Sequence, residues 1–290
     1  MTRIITSLAE VSDLYDAVFC DLWGCLHNGI TPFPDAVAAL QAFREKGGIV
    51  VLLTNAPRSR HEVAKQLAAM RLAETAWDTI ATSGDSARLA MFQGVVGGRV
   101  YFIGQPHDLP FFEPLRLIEN CPTIEQVPLA EAEGIVCTGP TDPHADPADN
   151  RPDFLFAKQK GLKLLCANPD LVVDRGETRE WCAGALAQLY TEMGGESLYF
   201  GKPHPPVYDL ARRRLTELGR EIPDSRILAI GDGILTDIKG AVGEDIDALF
   251  VTGGLAAAET KTDRDPEPDA LNAFLQREML TPTYAIGQLR

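Results

Sequence analysis

Residues 18–29 read VFCDLWGCLHNG, and the rest of the chain is organised around them. Val18, Phe19 and Cys20 form an apolar run that ends in Asp21, and Gly24 follows in a tight turn. A buried parallel strand delivers a carboxylate to its carboxyl edge in this way. That edge is where open α/β sheets carry their sites. A carboxylate there can take a phosphoryl group and form an aspartyl-phosphate. Turns also select Asp and Gly for local reasons, so on this stretch alone Asp21 is either a nucleophile or a turn residue.

Outward from that strand, the pattern predicts a helix from Phe33 and Pro34, with Val37, Leu40 and Phe43 on one face and Gly47 and Gly48 as its stop. Ile49 to Leu53 reads as a continuous apolar strand ending in Thr54 and Asn55. Ser59 and Glu62 form a capping box for a second helix with Val63, Leu67 and Met70 on one face. Thr79 to Thr82 reads as a further strand. Strand and helix alternate, as in right-handed βαβ units around a parallel sheet.

From about residue 85 to 195 the strand candidates Val100–Ile103, Gly134–Thr138 and Leu162–Cys166 are more loosely connected, and this region reads as a separate lid or cap domain. The stretch 139–153, GPTDPHADPADNRPD, reads as a surface loop. Leu198–Phe200 returns to a strand, with Lys202 just beyond it. A helix from about Pro206 follows, with Val207, Leu210, Leu215 and Leu218 on its buried side. Arg226–Ile230 is a strong strand signal running into Gly231, Asp232 and Gly233, with Asp237 a turn later. Ala248–Val251 gives a last strand, and residues 270–280 a terminal helix.

Composition narrows the classes. A chain of 290 residues, 45% hydrophobic, can bury two cores. It has no apolar run near the roughly 20 residues that span a bilayer, and its first residues lack a cleavage-type apolar core, so the expectation is a cytoplasmic protein without a membrane partner. The six cysteines form no C-x-x-C pair and read as reduced core residues. A net charge of -14 with no basic stripe argues against nucleic acid. An anionic substrate stays compatible, because a metal, a lysine and helix N-termini make a pocket locally positive.

Polar groups therefore end several strands: Asp21, then Thr54 and Asn55, then Lys202, then Asp232 with Asp237. In a doubly wound sheet they would converge on one crevice. Carboxylates with a backbone carbonyl around an open position suit Mg²⁺, which shares its sphere with water and substrate phosphate. A hydroxyl, an amide and an ammonium can hold the remaining phosphoryl oxygens.

DLWGC at Asp21, LLTNA with Thr54 and Asn55, GKPHP at Lys202 and GDGILTDI at Asp232 resemble, in order, the four motifs of the haloacid dehalogenase-like (HAD) hydrolases. The long insert between the second and third motifs is similar to that of the class IIA branch, with its NagD-type and pyridoxal phosphate phosphatases. TSG at Thr82, CANPD at Cys166–Asp170 and AGAL at Ala183–Leu186 add to the likeness. The resemblance implies a Rossmann-like core with a parallel sheet from residues 1–84 and 196–290, and an inserted α/β cap from 85–195. It implies Asp21 as nucleophile, Mg²⁺ on Asp21, the Trp23 carbonyl and Asp232, and Asp237 supporting that ligand. Thr54, Asn55 and Gly24 would bind the phosphoryl group, and Lys202 would neutralise the nucleophile and phosphate together. The implied substrate is a small phosphorylated metabolite, such as a sugar phosphate or nucleotide, and the implied assembly is a homodimer through the cap.

One position departs from that pattern. The phosphatases carry a second aspartate two residues after the nucleophile, which protonates the leaving group; here Trp23 stands there. Indole does not exchange a proton at neutral pH, whereas a general acid typically contributes about 10²- to 10⁴-fold. Three readings follow: His27 or a water takes the role, the substrate is an acyl or enol phosphate that needs no acid, or turnover is lost and the protein binds a ligand. The dehalogenases also lack that aspartate, which makes carbon–halogen cleavage a further alternative. His27 is either catalytic or an ordinary loop residue. Asn168 and Asp170 either form an Asx turn or reach the substrate from the cap.

Overall fold

A computed structural model of the chain describes residues 2–115, 120–175 and 178–290, with Asp174 and Arg175 as backbone only. The chain forms two compact units. The first holds the residues up to Thr54, Ala64–Ala81 and those from Tyr208 onward. The second holds Asn55–Val63 and Thr82–Val207.

Among the described residues the larger sheet has seven strands, in the order Arg3–Ile4, Tyr284–Ile286, Asp247–Val251, Ile227–Gly231, Ala17–Cys20, Ile49–Thr54 and Thr79–Thr82. Ala17–Cys20 runs parallel to both its neighbours, with Cys20 opposite Ile230 on one side and Leu52 on the other. The ladder continues one step, because the Asp21 N–H donates to the Ile230 carbonyl at 2.8 Å. Register therefore brings Asp21 level with Gly231, next to Asp232. Adjacent strands lie about 4.8 Å apart, so carboxylates from opposite ends of the chain become neighbours. These central strands are buried along their whole length, which explains why they read as unbroken apolar runs.

The helix expected from Phe33 spans Pro34–Glu45 and buries Ala36, Leu40 and Phe43, while Val37 is half-buried. The second helix spans Arg60–Ala69; Ser59 Oγ accepts from Glu62 N at 3.4 Å, and Val63 and Leu67 are buried. The later helix spans Pro205–Glu217 and buries Val207, Leu210 and Leu215. Leu218, expected on that face, lies past the helix end and is 44% exposed.

The second unit has its own parallel sheet, in the order Glu196–Tyr199, Lys163–Cys166, Gly134–Cys137, Arg99–Ile103 and Glu125–Gln126. Alternate residues face two cores: Ile135, Cys137, Leu164 and Cys166 pack with Phe154 and Tyr190, while Val136 and Leu165 pack with Met91 and Phe92. Both faces are covered, as parallel sheets require. An antiparallel hairpin, Val172–Arg175 with Thr178–Trp181, is the only antiparallel pairing among the described strands of this unit.

The surface loop expected over 139–153 ends early. Asp146 accepts from Ala148 N at 2.8 Å, and a helix spans Arg151–Gln159, burying Phe154 and Ala157. Pro152 sits in the first turn, where its missing N–H costs nothing, so a residue that reads as a loop signal here starts a helix. All six cysteines are free, and no described helix is long and apolar enough to cross a membrane.

Candidate active site

In the first unit, one ligand atom each from Asp21, Cys25 and Asp232 lies within 4.8 Å of the other two, and all three residues are buried. Asp232 Oδ2 accepts the Leu255 N–H at 3.1 Å, which fixes its orientation. Gly24 and Gly254 both give this carboxylate room, since a Cβ at either position would overlap Asp232 Oδ2. Gly24 also has φ +72°, a backbone conformation that costs glycine least. The cradle and its two carboxylates fit a hard divalent cation that takes oxygen donors and retains waters.

Asp237, expected beside the metal, is not in that donor group. Its Oδ2 accepts the Gly233 N–H at 3.0 Å within a single wide turn, Ile234–Ile238. A Cβ at Gly231 would overlap its side chain. Asp237 thus shapes the turn that presents Asp232.

Trp23 and His27 build one loop. Their rings meet edge to face with centroids 5.4 Å apart, and the Gly24 N–H donates to the His27 carbonyl at 3.0 Å. The indole lies against Gly29, where a Cβ would overlap it and φ is +84°. His27 is only 1% exposed, and its Nδ1 accepts the Gly29 N–H at 2.9 Å. That acceptor role puts the ring proton on Nε2. Burial pushes the imidazole down to about pKa 4, so it is neutral at pH 7. The histidine expected as a replacement acid is thus buried, with Nδ1 turned to its own loop.

In the second unit the Asn55 amide is fully committed. Its Nδ2 donates to Asp170 Oδ1 at 2.8 Å and to the Lys202 carbonyl at 3.1 Å, and its Oδ1 accepts the Lys202 N–H at 2.7 Å. The side chain expected to hold a phosphoryl oxygen instead fixes the backbone of Lys202, whose own side chain is buried. Asn168 Oδ1 accepts the Asp170 N–H at 3.0 Å, which is the Asx turn. Asp170 in turn orients Asn55. Gly201 is needed beside this amide, since a Cβ there would overlap Asn55 Oδ1 and crowd Ser83 Oγ. Thr54, buried, ends the strand Ile49–Thr54 in the first unit.

Sequence reasoning missed Cys25 and Gly254. Cys25 reads as one more apolar loop residue, and its only signal was its place four residues after Asp21. Burial, then the charges of Asp232 and Asp21, push its thiol well above the ordinary range, so the metal-free site holds it protonated. Gly254 had no local signal, because the group it accommodates belongs to another strand.

Comparison with known proteins agrees with this architecture. Residues 18–115 match the family described as haloacid dehalogenase-like hydrolase, and residues 199–275 match the one described as HAD-hydrolase-like. A solved hydrolase of the haloacid dehalogenase-like family from Brucella suis 1330 is 37% identical, with 99% of this chain and 100% of that chain covered and a TM-score of 0.85. D-glycerol 3-phosphate phosphatase from Mycobacterium tuberculosis is 26% identical over 87% of this chain and 67% of its own length. A possible sugar phosphatase from Cytophaga hutchinsonii, 19% identical, shares the fold over 99% of this chain and 98% of that chain, with a TM-score of 0.77.

Proposed function

The chain belongs to the haloacid dehalogenase-like hydrolases, and on that premise we propose that it is an Mg²⁺-dependent phosphatase of small phosphorylated metabolites, with Asp21 as its nucleophile. The observation that carries this reading is the meeting of Asp21 and Asp232, each buried, within one donor group. Asp21, Asp232 and the Trp23 carbonyl would hold Mg²⁺, which when bound supplies charge that stabilises the phosphoryl group in flight. One Asp21 oxygen attacks phosphorus and the ester oxygen departs with its electron pair, leaving an aspartyl-phosphate that water then hydrolyses. Thr54 holds a phosphoryl oxygen, and Lys202, its backbone fixed by Asn55, supplies positive charge to the same group. The class IIA arrangement, with residues 85–195 as the cap, is part of this proposal.

The missing acid shapes the substrate range. Trp23 donates only an indole N–H, and His27 is buried, neutral and committed through Nδ1. The ester oxygen therefore leaves without a strong proton donor from this loop, and acyl, enol and aryl phosphates are the preferred substrates over alkyl esters such as glycerol phosphate. Trp23 also favours a second reading, a ligand-binding protein with little turnover. A phosphate-release assay with Mg²⁺ over acyl, aryl and alkyl phosphates, with Asp21→Asn as control, separates the two. Release from acyl or aryl substrates that vanishes in Asp21→Asn supports the phosphatase. No release from any substrate refutes it and leaves the binding protein.

A further inference from the structure

We propose that Cys25 is a third protein donor beside Asp21 and Asp232, so that this cluster takes thiophilic divalent cations, zinc or cadmium, more tightly than magnesium. The inference rests on the reading of Asp21 and Asp232 as a divalent-cation site.

Three observations support it. The Cys25 sulfur belongs to the same donor group, within 4.8 Å of an oxygen of each carboxylate. It is 1% exposed, so water does not compete for it. Among the described residues it makes no hydrogen bond, whereas the sulfurs of Cys20, Cys137 and Cys166 each donate to a carbonyl oxygen. A buried thiol that faces two carboxylates and makes no hydrogen bond among the described residues is a donor in waiting.

The donor set then separates the metals. Zinc binds thiolate at about 2.3 Å and carboxylate at about 2.0–2.2 Å, and three protein ligands with one open position are usual at its reactive sites. Soft thiolate selects zinc and cadmium over magnesium, which takes oxygen donors and keeps its waters. On coordination the thiol proton leaves to solvent, and the sulfur lone pair forms the new bond to the cation. The cluster then carries three anionic donors toward one dication. A thiophilic ion seated there also engages Asp21, the proposed nucleophile, and competes with magnesium for Asp232.

The test uses the full-length metal-free protein and cadmium as the probe. Titration with Cd²⁺ is followed by the ultraviolet thiolate-to-cadmium charge-transfer band, with Mg²⁺ as competitor. Wild type is expected to develop a band that Mg²⁺ reverses and that Asp232→Asn weakens. Cys25→Ser is expected to lose it, with cadmium affinity falling at least about tenfold, since even partners outside the coordination sphere are typically worth 10–100-fold. Its magnesium affinity should stay within about threefold, because magnesium uses only the oxygen donors. A Mg²⁺-reversible band that survives Cys25→Ser overturns the proposal. So does a cadmium NMR shift of the wild type typical of oxygen-only ligation, a readout that needs no variant. Failure of Mg²⁺ and Cd²⁺ to compete at all overturns the cation reading together with this one.

Discussion

His27 gives the sharpest test of the loop that follows Asp21. Burial holds its imidazole at about pKa 4 instead of the usual 6.5. Protonation also requires Nδ1 to give up the Gly29 N–H at 2.9 Å and to face it with a second donor. The folded pKa is depressed, so the unfolded chain takes the proton first as pH falls. Stability from this group is complete above pH 6.5, declines between 6.5 and 4, and is lost below about 4. A gap of about 2.5 pH units corresponds to about 3 kcal/mol, of which roughly 2 kcal/mol is gone by pH 5.

Asn is the informative replacement, because its Oδ1 can accept the Gly29 N–H without titrating. Denaturant midpoints of wild type and His27→Asn, followed by tryptophan fluorescence, are compared at pH 7 and pH 5. Trp23 touches the imidazole edge, so it reports on this loop. Wild type is expected to lose roughly 2 kcal/mol more than the variant between these two pH values. An equal loss in both proteins would refute the buried neutral imidazole. The same variant addresses catalysis: activity at pH 7 within a few-fold of wild type is expected, and abolished activity with intact folding would restore His27 as the proton donor.

Other perturbations address other residues. Gly254→Ala would drive a methyl into Asp232, and magnesium affinity by calorimetry should fall about 10–100-fold, the range for groups that orient a metal ligand; an unchanged affinity would contradict the cradle. Asn55→Ala leaves the Lys202 amide and the Asp170 carboxylate without this partner, a loss of about 2–3 kcal/mol in unfolding free energy, with a lower kcat at near-constant KM. Trp23→Asp restores an acid two residues after Asp21, and alkyl phosphate hydrolysis should rise about a hundredfold while acyl phosphate hydrolysis barely changes.

The strands of the larger sheet were legible because a parallel sheet buried on both faces writes itself as continuous apolar runs, and the polar residue ending each run marked Asp21, Thr54 and Asp232, whereas Lys202 follows the half-exposed edge strand Glu196–Tyr199 of the second unit's sheet. The edge strand Arg3–Ile4 and its neighbour Tyr284–Ile286 were not legible, since two or three residues carry no period. What escaped at the site is set by distance along the chain. The register of Cys20 against Ile230 decides that Asp232 meets Cys25, and nothing near Cys25 encodes it. Likewise Asn55 invites a phosphate because it follows Thr54, yet its amide answers to Lys202, 147 positions away.

The tryptophan at position 23 is not an isolated loss of an acid. Its ring lies over Gly29, the only residue type with no Cβ to obstruct it, and packs against a histidine held by that same glycine's N–H. Trp23, His27 and Gly29 therefore form one packed unit, and removing the indole uncovers the imidazole. Trp23→Asp should cost stability even as it speeds alkyl ester cleavage, roughly 2 kcal/mol for a half-buried ring against about 3–5 for a fully buried one. It should also raise the His27 pKa, because the burial that depresses it is partly the indole's. A Trp23→Asp protein that is as stable as wild type at pH 7, with an unchanged slope between pH 7 and pH 5, would mean that the three residues are independent and that the loop was not built around the ring.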